Sequence, residues 1–415
     1  MPKTVLLVGA MDTKGEDFSY VKQLIEQQGV KTLVVDFGVL GEATGIHPDI
    51  SRDEVAKAGG GDLKTMQAEQ KKDYCMETMT KGLTKVVRKL YDEGKIDGIL
   101  GMAGSGGTSI ASASMRALPV GFPKLMVSTV ASEDVSAYVG TKDIMMVSSI
   151  VDVAGMNRIS KLVYSNAAGA IAGAVKQERP KIDEHRQVIT ASMFGNTTKA
   201  VDRAKQVFEK EGYEVLVFHA TGTGGKVMEG LIEDGLVNAN FDFTTTELAD
   251  YVCGGVMSAG PDRLMAAAKK GIPTIIVPGC VDMANFWGVE TMPPKYQSRK
   301  LYKWNPNVTL MRTNVEENTK IGELIARAAN AHTTPEVAIL IPLKGVSMLD
   351  SPGGEFWDVE ANQACFNTIK KLVKKGIPII EIDANINDPV FVDKTVEVLL
   401  GMIKHAARKP ELATA

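Results

Sequence analysis

Glycines at 104, 106 and 107, set among Ser105, Thr108 and Ser109, give residues 101–109 (GMAGSGGTS) a backbone that can approach a ligand closely. The stretch leaves a strand-like run and enters a helical pattern. At such a junction free amides and the positive end of the helix favour an anion. The three hydroxyls add donors. A phosphate, a phosphonate or a carboxylate fits, and a tight strand-to-helix turn is the plain alternative. No GKS or GKT closes the stretch as in a P-loop, and its glycine spacing is not GxGxxG. Taken alone it specifies an anion rather than ATP.

Residues 9–17, GAMDTKGED, follow the first apolar run, where ligands of open α/β sheets gather. Lys14 can pair with a phosphate, and Asp12 can hold Mg²⁺ or a ribose hydroxyl. Thr13 can cap a helix or touch a ligand. An ordinary capped turn with a solvated lysine explains the same residues. Residues 127–143 place Ser128, Thr129, Ser132 and Thr141 at a strand's end, to line a crevice or to form turns. Asp152 and Asn157 stand at a helix start, where such residues cap.

The second half offers HATGTGGK at 219–226, PGCVDMAN at 278–285 and PLKGVSMLDSPGG at 342–354. Each begins at a strand's carboxyl end, and Gly222, Gly224 and Gly225 can receive an anion. His219, Asp282 and Asp350 are candidate catalytic residues, with Asn285, Lys344 and Ser347 nearby. That inventory suits acid–base or metal chemistry on a small metabolite. No HxxxH or HExxH spacing occurs, which predicts no zinc site. No GxSxG elbow occurs.

The elements that must position these residues follow one pattern. Short apolar β-branched runs at 4–9, 32–36, 98–102, 124–128 and 144–147 alternate with helical stretches at 17–28, 76–93 and 109–117. Continuous apolar strands separated by helices predict a parallel sheet covered on both faces. The charged run KQERPKIDEHR at 176–186 interrupts the pattern. It then restarts with strands at 187–191, 214–219, 274–277, 337–342 and 379–383 and helices at 199–212 and 359–375. The predicted fold is therefore α/β, with two doubly wound, mostly parallel-sheet domains. They span residues 1–178 and 187–405, joined by a linker at 179–186 and followed by a tail at 406–415. The stretch VLLVGAMDTKGEDFSYVKQLIEQQGVKTLVVDFG resembles VITASMFGNTTKAVDRAKQVFEKEGYEVLVFHA, which suggests internal duplication.

Composition bounds the partners. The 415 residues carry a net charge of −3, so no basic surface predicts nucleic acid. Four cysteines without a CxxC pair read as buried reduced thiols. They imply a reducing compartment, and the expected location is cytoplasmic. No apolar run reaches the length of a membrane span, and none resembles a signal peptide.

The stretches GAMDTK (9–14), GSGGTS (104–109), RALPVGFPKLMVSTVAS (116–132), YVGTKDIMMVSSIVDVAGMN (138–157) and SMLDSPGG (347–354) carry a resemblance. Together they are similar to one family, the ATP-binding amino-terminal region of the tomato mosaic virus resistance protein and its microbial relatives. The resemblance spans residues 3–405. It implies a two-part α/β structure that binds ATP in its first part and forms a homodimer. Capture of a viral replication protein belongs to the plant member. Asp12, Thr13 and Lys14 fall in the first motif, Gly104 to Ser109 in the second, and Ser128, Thr129 and Asp152 in the later ones. Ending at Ala415, the chain is expected to lack the plant protein's further carboxyl-terminal domain.

The leading expectation is an ATP-binding protein with phosphates on residues 104–109, Lys14 assisting and Mg²⁺ at Asp12. The alternatives are a small-metabolite enzyme using the second domain or the interdomain cleft, and a nucleotide-stabilised dimeric assembly module.

Overall fold

The computed structural model describes residues 2–69, 71–178 and 186–412, with side chains through residue 407. The chain divides into two compact units, residues 1–181 and 182–415. The expected linker at 179–186 lies outside the described residues except for its last position.

In the first unit β1 (Thr4–Gly9), α1 (Met11–Glu26) and β2 (Lys31–Asp36) are followed by α2 (Arg52–Gly59), α3 (Leu63–Glu69) and α4 (Lys72–Asp92). Then come β3 (Gly98–Ala103), α5 (Ser105–Arg116), β4 (Lys124–Ser128), α6 (Ser136–Val139), β5 (Met145–Ser148) and α7 (Arg158–Lys176). The five strands form one sheet, ordered β2-β1-β3-β4-β5, with every pairing parallel. Side chains alternate across it. Leu6, Val8, Ile99 and Met126 pack with Met79, Leu83 and Met115 from α4 and α5. Val5, Leu7, Leu100 and Val127 pack with Phe18, Val21, Tyr164 and Ile171 from α1 and α7.

The second unit runs β6 (Val188–Met193), α8 (Thr198–Lys210), β7 (Glu214–His219), α9 (Thr223–Glu233), β8 (Ala239–Asp242), α10 (Thr246–Cys253), α11 (Met265–Lys270) and β9 (Thr274–Ile276). It continues with β10 (Met283–Phe286), β11 (Leu301–Asn305), β12 (Val308–Arg312), α12 (Val315–Asn330), β13 (Val337–Pro342), α13 (Val359–Leu372), β14 (Ile379–Ile382) and α14 (Pro389–Leu412). The main sheet is ordered β14-β13-β9-β8-β6-β7 and is parallel throughout. Numbered from each unit's own start, both sheets read 2-1-3-4-5, and the second adds a sixth strand. The α/β class with two doubly wound parallel sheets is thus the observed fold. Strands β10, β12 and β11 make a separate antiparallel sheet, which the sequence pattern misses. The final helix runs to Leu412, through residues expected to form a tail.

In a 2-1-3 order the chain leaves β1 and β3 toward opposite faces, opening a crevice beyond their carboxyl ends. In the first unit that crevice falls between residues 10–13 and 104–107.

Candidate functional site

Neither glycine-bearing stretch of the first unit is a loop. Helix α1 begins at Met11, so Asp12, Thr13 and Lys14 form its first turn. Helix α5 begins at Ser105, and Gly104 is its cap. Both helices start earlier than the expected residues 17 and 109, because the glycines are part of the helices rather than of preceding loops. Two local features mark the first turn of α5. Thr108 and Ser109 donate their hydroxyls back to the Gly104 and Ser105 carbonyls at 2.9 and 3.2 Å. Gly107 packs so tightly that a methyl group there would lie 2.6 Å from Ala103 Cβ.

The two helix starts differ in charge. Asp36, at the end of β2 and 1% exposed, accepts from the amides of Met11 and Gly38 at 2.9 and 2.8 Å. The amino end of α1 therefore already faces a carboxylate of the chain. Burial holds Asp36 above the usual carboxylate range despite those amides, and nearby Asp12 adds to the rise. The start of α5 has no capping side chain, and the amides of Ser105, Gly106 and Gly107 have no partner among the described residues.

Between the two helix starts lies a cavity of ≈ 170 Å³, bounded by Asp12, Thr13, Gly106 and Gly107 and walled by Phe37 and Met76. Asp12 Oδ2 accepts from the amides of Leu40 and Gly41 at 2.8 and 3.1 Å. Its Oδ1 is buried without a partner among the described residues. Leu40, at the rim, is 80% exposed.

The other expected contacts are placed differently. Lys14 is half-buried in the turn of Asp12, and its charge acts on Asp17. Ser105 and Ser109 are exposed. Thr108 and Ser128 are buried, with their hydroxyls 2.7 Å apart, so they brace α5 against β4. Thr129 donates its amide to Ala103 at 3.3 Å. Asp152 is exposed on the loop after β5, where its charge acts on Tyr164. Asp36 is absent from the expected set. An acid closing a strand beside the preceding helix start was its only signal in the sequence.

In the second unit, the amide cradle at residues 222–225 is filled from within. Glu247 Oε1 accepts from Gly222 and Gly225 at 2.7 and 3.0 Å. Its Oε2 meets Arg263 Nε at 2.6 Å. The same fully buried guanidinium takes both oxygens of Asp242 at 2.6 and 2.7 Å and Glu229 at 3.1 Å.

Asp282 and Asp350 come together, both fully buried. Ser347 Oγ donates to Asp282 Oδ2 at 2.8 Å and accepts from the Asp350 amide at 2.9 Å. Asn362 and the Val346 amide hold Asp350 Oδ2 at 2.8 and 2.9 Å, and Arg312 approaches its Oδ1 at 3.6 Å. Burial raises both carboxyls, and for Asp282 the neighbouring Asp350 charge adds to the rise. Two acids so placed favour one shared proton over two charges. His219 lies elsewhere, exposed at the end of edge strand β7, with its ring edge-on to Phe194 at 5.3 Å.

The family models of Uncharacterised protein family UPF0261 match both halves. The amino-terminal domain matches residues 3–180 and the carboxyl-terminal domain residues 186–403. The chain belongs to the UPF0261 family. A UPF0261 protein of Clostridium tetani is 47% identical over 97% of this chain and all of that protein. Two tomato proteins are also similar. The ToMV resistance protein Tm-1(GCR237) is 41% identical over 78% of this chain and 44% of its own length. The ToMV susceptible protein tm-1(GCR26) is 35% identical over 96% of this chain and 55% of its own length. Among solved structures, a UDP-N-acetylglucosamine 2-epimerase from Rickettsia bellii aligns over 98% of this UPF0261 chain and 99% of its own, at 9% identity and a TM-score of 0.24. So little shared geometry transfers no activity. No described helix of this family member is long and apolar enough to cross a membrane.

Proposed function

We propose that the first unit binds ATP or a close nucleotide relative, with phosphate oxygens on the first turn of α5. One observation carries the reading: among the described residues the amides of Ser105, Gly106 and Gly107 have no partner, at an uncapped helix start that borders a cavity. An anion there gains from the helix dipole and from charge-assisted hydrogen bonds of about 1.5–3 kcal/mol each. The start of α1 is the poorer seat, because Asp36 already occupies it with an acid. The phosphates therefore lie toward Gly106, with Lys14 as the nearby cation.

Mg²⁺ suits the same place. It commonly uses one or two carboxylates together with phosphate oxygens rather than an all-protein cage. Asp12 Oδ1, buried and open, is such a ligand. The ion would neutralise phosphate charge beside Asp12 and Asp36. The ≈ 170 Å³ cavity falls below the roughly 300–1,000 Å³ that encloses a drug-sized ligand. Only part of a nucleotide enters it, and the remainder lies along the rim beside Leu40. The relatives named for resistance and for susceptibility to ToMV are both similar to this chain, so virus capture is not carried across.

Calorimetric titration of ATP with Mg²⁺ against wild type and Gly106→Val tests the site. A Cβ at Gly106 first meets Met76 at 3.8 Å, so a larger side chain there starts from open space at the cavity wall. The expected result is binding by wild type that weakens at least tenfold in the variant. Equal affinities would remove α5 from the site. Phosphate release in the same samples separates turnover from binding.

A further inference from the structure

Three oxygens near the carboxyl edge of the second unit's main sheet are buried without a hydrogen bond among the described residues: Asn196 Oδ1, Asp282 Oδ1 and Asp350 Oδ1, the last with the Arg312 guanidinium at 3.6 Å. All three residues are fully buried. Contacts draw them into one neighbourhood. Asn196, after β6, reaches Met283 Sδ through Nδ2 at 3.5 Å. Ser347 joins Asp282 to Asp350, as described above. Asn387 donates to the Asn196 carbonyl at 3.0 Å, and Asn385 of the same loop donates to the Asp350 carbonyl at 3.3 Å.

A buried polar atom left without its partner costs about 1–3 kcal/mol, and native folds seldom leave several together. A proton shared by the two carboxyls relieves part of that cost. It supplies nothing to Asn196. Since every open atom accepts, the absent partner is a donor. The two acids disfavour a phosphate or a carboxylate. No group of three or more acid, histidine or cysteine side chains that could hold a metal ion occurs among the described residues.

Beside Asn196, at Gly195, the surface is aromatic. Trp304, on outer strand β11, covers Gly195, where a methyl group would lie 3.0 Å from the indole Cζ2. It is 38% exposed. Tyr302 stands 6.5 Å from it, ring to ring, and packs on Phe356. An apolar ring face next to a group of buried acceptors matches a molecule with C–H groups on one side and hydroxyls on the other.

We propose that this edge binds a small uncharged polyhydroxylated molecule, whose hydroxyls donate to Asn196, Asp282 and Asp350 and whose C–H face rests on Trp304. Entry runs past Trp304, which must turn away from Gly195 to admit it.

The test titrates the full chain separately with D-ribose, D-glucose, D-mannitol and D-glucosamine, read by calorimetry and tryptophan fluorescence. At least one neutral member should bind saturably. Trp304→Ala and Asp282→Asn should each weaken it at least tenfold, while Gly106→Val leaves it unchanged. A melting midpoint for each variant separates lost binding from lost folding, and Trp304→Phe, which keeps a ring, should retain most of the affinity. Binding of none of the four tighter than about 10 mM overturns the proposal. So does binding that survives both substitutions, or binding confined to glucosamine, which would make the partner a cation.

Discussion

Glu247 and Gly225 meet at 3.0 Å, carboxylate oxygen to amide nitrogen, and this one contact separates the two glycine-rich helix starts of the chain. At α9 the anion is built in. At α5 the equivalent amides have no partner among the described residues. Local sequence is nearly the same in the two places, GSGGTS and GTGGKV. A carboxylate from more than twenty residues away along the chain decides which one is left for a ligand.

Glu247 is itself anchored by Arg263, and Arg263→Met leaves Asp242, Glu247 and Glu229 sharing a buried site without their cation. Breaking a buried ion pair on one side costs about 3–5 kcal/mol. Urea unfolding should show a loss of that size. A loss under about 1 kcal/mol would mean the acids take up protons at little cost.

Gly106 and Gly107 should respond to alanine with opposite signs. A methyl at Gly107 lies 2.6 Å from Ala103 Cβ, an overpacking that costs about 1–3 kcal/mol. At Gly106 the nearest atom is 3.8 Å away. There alanine should stabilise by up to about 1 kcal/mol, by reducing the freedom of the unfolded chain. Thermal midpoints of the two variants measure the difference.

Thr108→Val separates bracing from contact. It removes the hydroxyl that meets Ser128 at 2.7 Å and returns to the Gly104 carbonyl. Stability should fall by about 1 kcal/mol. ATP affinity should stay within about twofold, since the backbone amides are the proposed donors. A tenfold loss of affinity in a variant with a normal melting curve would make Thr108 a ligand contact.

Asp250 gives the fold a pH dependence. Burial pushes its carboxyl up to about 7, against hydrogen bonds from Asn285 and Met257. Between about pH 4 and pH 7 the folded chain then holds a proton that the unfolded chain has lost, so stability falls as pH rises through that window. Asp250→Asn carries no such proton. Its new amide can donate to Asn285 Oδ1, which has no donor now, once the Asn285 amide turns over. The melting midpoint should decline less between about pH 5 and pH 8 in the variant than in wild type. An unchanged slope would assign the effect to other raised acids such as Asp17 and Glu229.

How much was legible in the chain depended on the range of the interactions. Residues 4–9, 124–128 and 337–342 are continuous apolar runs, and their strands fall at those residues. The antiparallel strands β10 to β12 were not visible, because MANF and LYKWN lack a clean two-residue alternation. Helices α1 and α5 start earlier than the pattern predicts, because a glycine is compatible with either a loop or a close-packed helix. What decides is the neighbour, Ala103 for Gly107. Asp36 reaches the Met11 amide 25 positions away and Arg263 reaches acids 16 to 34 positions away, and no spacing rule connects those positions. Asp282 and Asp350 were expected beside each other because both follow apolar strands. His219 also follows one, but β7 is an edge strand and its last residue faces solvent.

The quartet of buried Arg263, Asp242 and Glu247 with half-buried Glu229 also restricts how this fold can change over time. Hydrocarbon of similar volume can replace a whole buried ion group with little loss, but every single-residue route passes through an uncompensated charge. A lineage that drifts one substitution at a time is therefore locked into all four residues, whatever its ligand-binding edges come to recognise.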